Sequence, residues 1–283
     1  MNLSTTSLSV TANAAIDLQL HTTYSDGDWT DEELLDYLIA ERFSLAAITD
    51  HDRVGIARGL QKLATEKQFP LLVAVEMSSM WKGQLTDLLC YGFDPDNNHL
   101  NALAQDVTFR QHENTRQVFN YLFSKDYALD PQDLERMLAK PAAQQLPELL
   151  ALATKIIQDA KAIGRTLLDG GFAYMTHDLA TIVEAAHQSG AVCILAHPGR
   201  NDGFVCYDYA LLDELRREAH IDGIEAYYPA HTPEQTAMYL KYAQRHQLLI
   251  SAGSDSHHPD KPPIKYRAES CRALLEWLGI QVE

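Results

Sequence analysis

The feature that most constrains this chain is an alternation. Short apolar, β-branched runs recur along it, and most are followed by a helical pattern. AAIDLQL (14–20), LAAIT (45–49), PLLVAVEM (70–77), LTDLLCYGF (85–93), AVCILA (191–196), DGIEAYY (222–228) and LLISAG (248–253) read as strands. Between them, LLDYLIA, VGIARGLQKLATEK, DLATIVEAAHQSG, YALLDELRREA and PEQTAMYLKYAQRHQ carry apolar residues at helical spacing, and RALLEWLG closes the series. Thr30 followed by Glu33 forms a capping box that starts the first helix. Strands apolar on both faces and alternating with helices predict an α/β protein built on a parallel sheet covered on both sides. About seven such strands predict a closed or nearly closed β/α barrel. The alternation stops between 98 and 168, where the pattern is almost wholly helical. The expected organisation is therefore a barrel of residues 1–97 and 169–283, interrupted by a helical insertion over 98–168.

Composition narrows the function. With 39 acidic and 23 basic side chains in 283 residues the net charge is −16, which disfavours a track for long duplex nucleic acid. An acidic chain can still act on a phosphate ester if its carboxylates hold cations. The four cysteines are scattered without a CxxC pair, and the N-terminus has neither a basic start nor a long apolar run, so a cytoplasmic protein is expected. No stretch approaches the ~20 apolar residues that span a membrane. Twelve histidines are the more telling count, because imidazole is both a common metal ligand and a common acid or base.

In parallel β/α folds the chemistry lies at the C-terminal ends of the strands. Those ends carry Gln19 and His21, with Asp26 in the following loop; Asp50, His51 and Asp52; Glu76; Asp87; His197 and Arg200; Glu225 to His231; and Asp255, His257 and His258. Any one of these alone reads as a loop or capping residue. A cation-binding group at every end points to a shared centre. Carboxylates mixed with imidazoles suit Mn²⁺, Fe²⁺ or Zn²⁺ better than Ca²⁺ or Mg²⁺, and the ligands are too many for one ion, so two or three divalent ions are expected. Such sites, with ions ~3.5–4 Å apart, serve hydrolysis of phosphate esters and amides. The chain has no GxSxG elbow, no P-loop and no dinucleotide-binding glycine pattern.

The segments IDLQLHTTYSDG, ITDHD, VAVEMSS, ILAHPGR, EAYYPAH and SAGSDSHH occur in an order that resembles the PHP (polymerase and histidinol phosphatase) family across almost the whole chain. The helical insertion resembles the small phosphoesterases of that family, which act on nucleoside phosphates and on the 5′ end of short RNA. The resemblance implies a distorted seven-stranded (β/α)7 barrel with up to three metals. By position it implies one metal among His21, Glu76 and Asp255 with Gln19, a second among Glu76, Asp87 and His197, and a third among Asp26, His51 and His257. Two positions depart from the pattern. Gln19 stands where the first strand usually has the first histidine of an HxH pair, and an amide oxygen is a weaker ligand. Asp87 stands where relatives commonly carry histidine.

A phosphate dianion also needs fixed cations. Arg200, directly after the AHPG segment, is expected to bind substrate, as is Arg116 on the helix that also carries Arg110 and Asn114. His231 is expected to protonate the leaving oxygen or to bind phosphate, Asp50 and Asp52 to orient His51, and Trp81 either to stack a base or to anchor a loop. The insertion is expected to form a lid that sets substrate size. Together these residues predict a phosphoesterase using metal-activated water on small esters, such as nucleoside mono- or bisphosphates or the 5′ end of a short oligonucleotide. The alternatives are a catalytically weakened, ligand-sensing relative and an amidohydrolase on the same metals. Oligomeric state is not legible.

Overall fold

The alternation is realised as an α/β architecture. The computed structural model describes residues 8–200 and 204–283. In chain order the elements are β1 (Ser9–Val10), β2 (Ala15–Leu20), α1 (Asp31–Ala40), β3 (Leu45–Ile48), α2 (Ala57–Glu66), β4 (Leu71–Leu72), β5 (Ala74–Trp81), β6 (Gln84–Tyr91), α3 (Leu100–Ser124), α4 (Pro131–Leu138), α5 (Ala142–Ile156), α6 (Ala160–Asp169), β7 (His177–Asp178), α7 (Leu179–Gln188), β8 (Val192–Leu195), α8 (Tyr209–Glu218), β9 (Gly223–Tyr227), α9 (Pro233–His246), β10 (Leu249–Ala252), β11 (Tyr266–Arg267), α10 (Arg272–Trp277) and β12 (Gln281–Val282). The capping box at Thr30 and Glu33 is present in both directions. Among the described residues no helix is long and apolar enough to cross a membrane.

The pairing departs from a single parallel sheet. One sheet runs β11-β2-β3-β4 and a second runs β10-β9-β8-β6-β5-β7, while β1 and β12 pair separately. No closed seven-stranded sheet forms among the described residues. Within the second sheet β6 is antiparallel to both β5 and β8. The cause is the connection: only Lys82 and Gly83 join β5 to β6, both at positive φ (51° and 77°). Two residues suffice for a hairpin with right-handed twist, whereas parallel neighbours need a crossover of a dozen or more. The polar Ser78 and Ser79 therefore lie inside a strand, where the sequence reads as a loop. Single bridges link the two sheets where the ligands lie: Leu20 at the end of β2 with Ser256 after β10, and His51 after β3 with Glu76 of β5.

Successive strand residues face opposite ways. Ile16, Leu18, Leu45 and Ala47 enter one core with Leu89, Val192, Ile194 and the C-terminal Leu274 and Leu275. Ala46 and Ile48 instead face Leu34, Leu35 and Leu38 of α1 and Leu60 of α2. Both faces are thus buried, as the apolar runs require.

The chain divides into two compact units: residues up to Ala102 together with His177–Glu283, and Leu103–Thr176. The second unit has its own core, with Val118, Phe119 and Leu122 of α3 against Leu146, Leu149 and Ala153 of α5 and Leu167 of α6. Its limits differ from 98–168 at both ends. The first turn of α3 falls in the larger unit, and beyond α6 Phe172 and Tyr174 still pack on the helical core.

Candidate metal centre

The β5–β6 hairpin supplies the middle of the site. Its register sets Asp87 opposite Ser78 and one step diagonal from Glu76, so both carboxylates project from the same face. They are mid-strand residues, because the hairpin continues past them to Trp81 and Gln84. From β2 come Gln19 and, one residue beyond, His21. His51 follows β3, His197 follows β8, and Asp255 and His257 follow β10.

The loop carrying Asp26 is built by Asp50. Thr22 donates its backbone N–H (2.8 Å) and hydroxyl (2.7 Å) to that carboxylate, and Ser25 donates its hydroxyl (2.6 Å). Gly27 passes so close to His21 that a Cβ would meet the His21 carbonyl oxygen at 2.6 Å. Asp52, at φ 53°, accepts from the Ser78 backbone N–H at 3.2 Å. Neither aspartate orients the ring of His51 as expected; the atom beside His51 Nδ1 is Ser78 Oγ at 3.5 Å.

These elements bring the side chains together. His21 Nε2 lies 3.0 Å from Glu76 Oε2 and 3.1 Å from Asp255 Oδ1. His197 Nε2 lies 3.0 Å from Glu76 Oε1 and 3.7 Å from Asp87 Oδ2. Asp26 Oδ1 is 3.3 Å from His257 Nε2, and its Oδ2 is 4.0 Å from His51 Nε2. The rings of His21 and His257 stack at 4.1 Å. Three sets each have ligand atoms within 4.8 Å of one another: His21, Asp26, His51 and His257; His21, Glu76 and Asp255; and His51, Glu76 and Asp87. In the set at Glu76 and Asp87, His51 stands where His197 was expected, His197 meeting that pair only through the two distances above, and His21 is added to the third expected group.

The chemistry of the donors fits divalent cations. Although His21 Nε2 is close to two carboxylates, neither of its buried ring nitrogens has a hydrogen-bond partner. Lone pairs directed at a shared ion account for such short, off-line approaches, whereas N–H donors would align on an oxygen. Burial alone would push the Glu76 carboxyl up, but His51, His197 and His21 hold it well below the usual range. Burial, reinforced by Glu76, drives Asp87 well above it. For His21, burial is outweighed by Asp255 and Glu76, so its affinity for a positive charge is raised. Cations bound among these groups would serve the same electrostatic need.

Gln19 fits less well. Its Nε2 donates to Glu76 Oε2 (2.9 Å) and Asp255 Oδ1 (3.3 Å), while its buried Oε1 has no partner. To ligate an ion there, the amide would have to turn over and present Oε1.

The other expected residues divide. Arg200 reaches the cluster, with Nη1 3.9 Å from Asp255 Oδ2 and its guanidinium 4.3 Å from the Phe204 ring centroid. Arg116 belongs to the helical unit and pairs there with Glu113. His231 does not offer a proton in this geometry. Its Nε2 accepts the Gly199 N–H (3.0 Å) and its Nδ1 lies 3.1 Å from the Ala226 carbonyl, so the Nδ1–H tautomer is assigned. Burial pushes its pKa down to about 4. It braces the 197–199 turn. Trp81 is buried, donates to Glu218 and stacks on Tyr207, so it anchors a loop instead of stacking a base. Two contributors carried no signal beyond being aromatic: Tyr228, directly after β9, whose hydroxyl donates to Asp255 Oδ2 at 3.3 Å, and Phe204, set edge-on to His197.

Comparison with known proteins agrees with this picture. The chain is 29% identical over 292 residues to the 3′,5′-nucleoside bisphosphate phosphatase of Chromobacterium violaceum, covering 95% of this chain and 98% of that one. It is 26% identical over 248 residues to a 5′-3′ exoribonuclease of Haemophilus influenzae, covering 86% and 90%. A Bifidobacterium adolescentis protein proposed to be a metal-dependent phosphoesterase superposes with a TM-score of 0.74 at 22% identity, over 95% and 97% of the two chains, and shares the fold. An amidohydrolase from C. violaceum, solved with bound sulfate and no metal, gives the same TM-score at 25% identity over 94% and 96%. No family model matches the chain. Fold and site define an α/β protein whose strands gather carboxylates and imidazoles into one buried centre suited to divalent cations. These relatives, named as phosphatases and exoribonucleases, agree with the resemblance to the PHP family.

Proposed function

We propose that this chain is a metal-dependent hydrolase of phosphoric esters, acting on nucleoside mono- or bisphosphates or on the 5′ end of a short oligonucleotide. The observation that carries the proposal is the convergence of His21, Asp26, His51, Glu76, Asp87, His197, Asp255 and His257, from both sheets, onto one cluster. The substrate class is supported by the bisphosphate phosphatase and the exoribonuclease, which align over nearly all of their lengths.

Hydrolysis requires an activated water, neutralisation of charge on phosphorus oxygens and departure of an alkoxide. Bound divalent ions, two or three of Mn²⁺, Fe²⁺ or Zn²⁺, would acidify water and share the oxyanion charge. Glu76, with one oxygen toward His21 and the other toward His197, would keep neighbouring ions close. The Gln19 position is the weakest of the three. Arg200 provides a forked donor set beside Asp255 for a phosphate oxygen. His231 contributes through the turn that leads into Arg200.

The bridges from the ends of β2 and β3 to the segment after β10 and to β5 support reading the two sheets as a distorted seven-stranded barrel. The four free cysteines support a reducing, cytoplasmic setting.

The test is phosphate release from a nucleotide panel by purified protein with Mn²⁺, which Asp255→Ala is expected to abolish. Undiminished release by that variant would overturn the assignment. Hydrolysis of amides or lactones with none of phosphate esters would replace it with an amidohydrolase. Tight metal binding without turnover would favour the ligand-sensing alternative, to which only the position of Gln19 lends support.

A further inference from the structure

One buried carboxyl takes no part in the chemistry above. Glu225 sits on β9, between β8 and β10, and is fully buried. No basic side chain is paired with it among the described residues, and its Oε1 has no hydrogen-bond partner. An apolar residue would fill an interior strand position at lower cost, since a buried polar group loses its hydration. What Glu225 holds is one backbone group: the N–H of His197 donates to its Oε2 at 2.8 Å.

That N–H needs a partner because of how the chain turns. Ala196 is still bonded to the neighbouring strand, its N–H donating to the Asp87 carbonyl at 3.0 Å. The next residue, His197, has φ 27°, in a region that side-chain-bearing residues rarely occupy. Such a conformation costs about 1–3 kcal/mol and persists only where the surroundings over-determine it. The turn rotates the imidazole onto Glu76 and Asp87 and takes the backbone N–H out of the sheet into a buried position. Space for its acceptor is also built in. A Cβ on Gly253, following β10, would lie 2.5 Å from Glu225 Oε1 and 2.4 Å from the Gln19 Cβ. Only glycine leaves room there for the carboxyl and the β2 side chain together.

We propose that Glu225 is a positioning residue that clamps the strained backbone of His197 and thereby aims its imidazole at the ion shared with Glu76 and Asp87. The inference rests on the reading of His197 as a metal ligand. Residues that orient ligands typically matter 10–100-fold in metal affinity, and Glu225 acts here through the ligand's main chain.

The experiment is Co²⁺ titration of the whole chain, read by the visible d–d spectrum and by ions bound per chain, for wild type, Glu225→Ala, Glu225→Asp, Glu225→Gln and His197→Ala. Glu225→Ala is expected to weaken the affected ion about 10–100-fold and change its spectrum. Glu225→Gln, which keeps an oxygen acceptor, is expected to restore most of the affinity. If Glu225→Ala does not fold, Glu225→Asp decides: withdrawing the acceptor by one methylene is expected to weaken binding in the same direction. Wild-type affinity and spectrum in the Ala variant, or in Asp where Ala is unfolded, would overturn the positioning role, provided His197→Ala weakens binding. Unchanged binding in His197→Ala would overturn the ligand assignment instead, so the two failures are distinguishable.

Discussion

Replacing Asp50 with alanine tests how the loop carrying Asp26 is held. The carboxylate is almost fully buried and accepts three hydrogen bonds, from the Thr22 N–H, the Thr22 hydroxyl and the Ser25 hydroxyl, at 2.6–2.8 Å. Asp50→Ala leaves one buried backbone donor unsatisfied, at about 1–3 kcal/mol, and removes two hydroxyl bonds of about 0.5–1.5 kcal/mol each. The sum is about 2–6 kcal/mol, tempered because hydroxyls can rotate to other acceptors and because a buried charge is removed with the bonds. Urea unfolding monitored by circular dichroism measures the loss. A double-mutant cycle with Ser25→Ala isolates one bond and is expected to give a coupling of about 1–2 kcal/mol. A total loss below about 1 kcal/mol, or a coupling near zero, would refute the claim that Asp50 organises the loop.

Three further outcomes are expected. Gly27→Ala places a Cβ 2.6 Å from the His21 carbonyl oxygen, so the backbone must shift; loss of stability together with weaker metal binding is expected, and an unperturbed titration would contradict it. Burial raises the Asp17 carboxyl from 3.8 to about 7, despite N–H donors from Ser254 and Ile264. A carboxyl raised in the folded state stabilises fully below its unfolded pKa, and that contribution is lost as pH climbs. The fall in stability between pH 4 and 7 should therefore be shallower in Asp17→Asn, as read from urea midpoints across that range. Gln19→His restores an imidazole where Gln19 Nε2 now meets Glu76 and Asp255, and should raise ion content or turnover; no change in either would mean that the amide suffices or that the position holds no ion.

The strands and the identity of most cluster residues were legible because strand ends recur with a polar group each. The route by which they converge was less so. Ser78 and Ser79, both almost fully buried, make the middle of β5 look like a loop. A turn as short as Lys82–Gly83 is easily passed over, although it alone makes β6 antiparallel and sets Asp87 beside Glu76. The role of His231 was hidden for a different reason. Whether a histidine donates a proton or accepts one from a backbone amide depends on Gly199, thirty-two residues away in sequence. Glu225 likewise looked like one more strand-end acid, because nothing local reveals that its partner is a main-chain N–H.

The central claim is that acids and imidazoles from distant strands share cations in one pocket. Metal content per chain after loading with Mn²⁺ and removal of excess, compared between wild type and Glu76→Ala, tests it most directly. Glu76 touches His21 on one side and His197 on the other. At least two ions are expected in the wild type, with the loss of more than one from this single substitution. Retention of the full complement by Glu76→Ala, or no bound metal in the wild type, would contradict it.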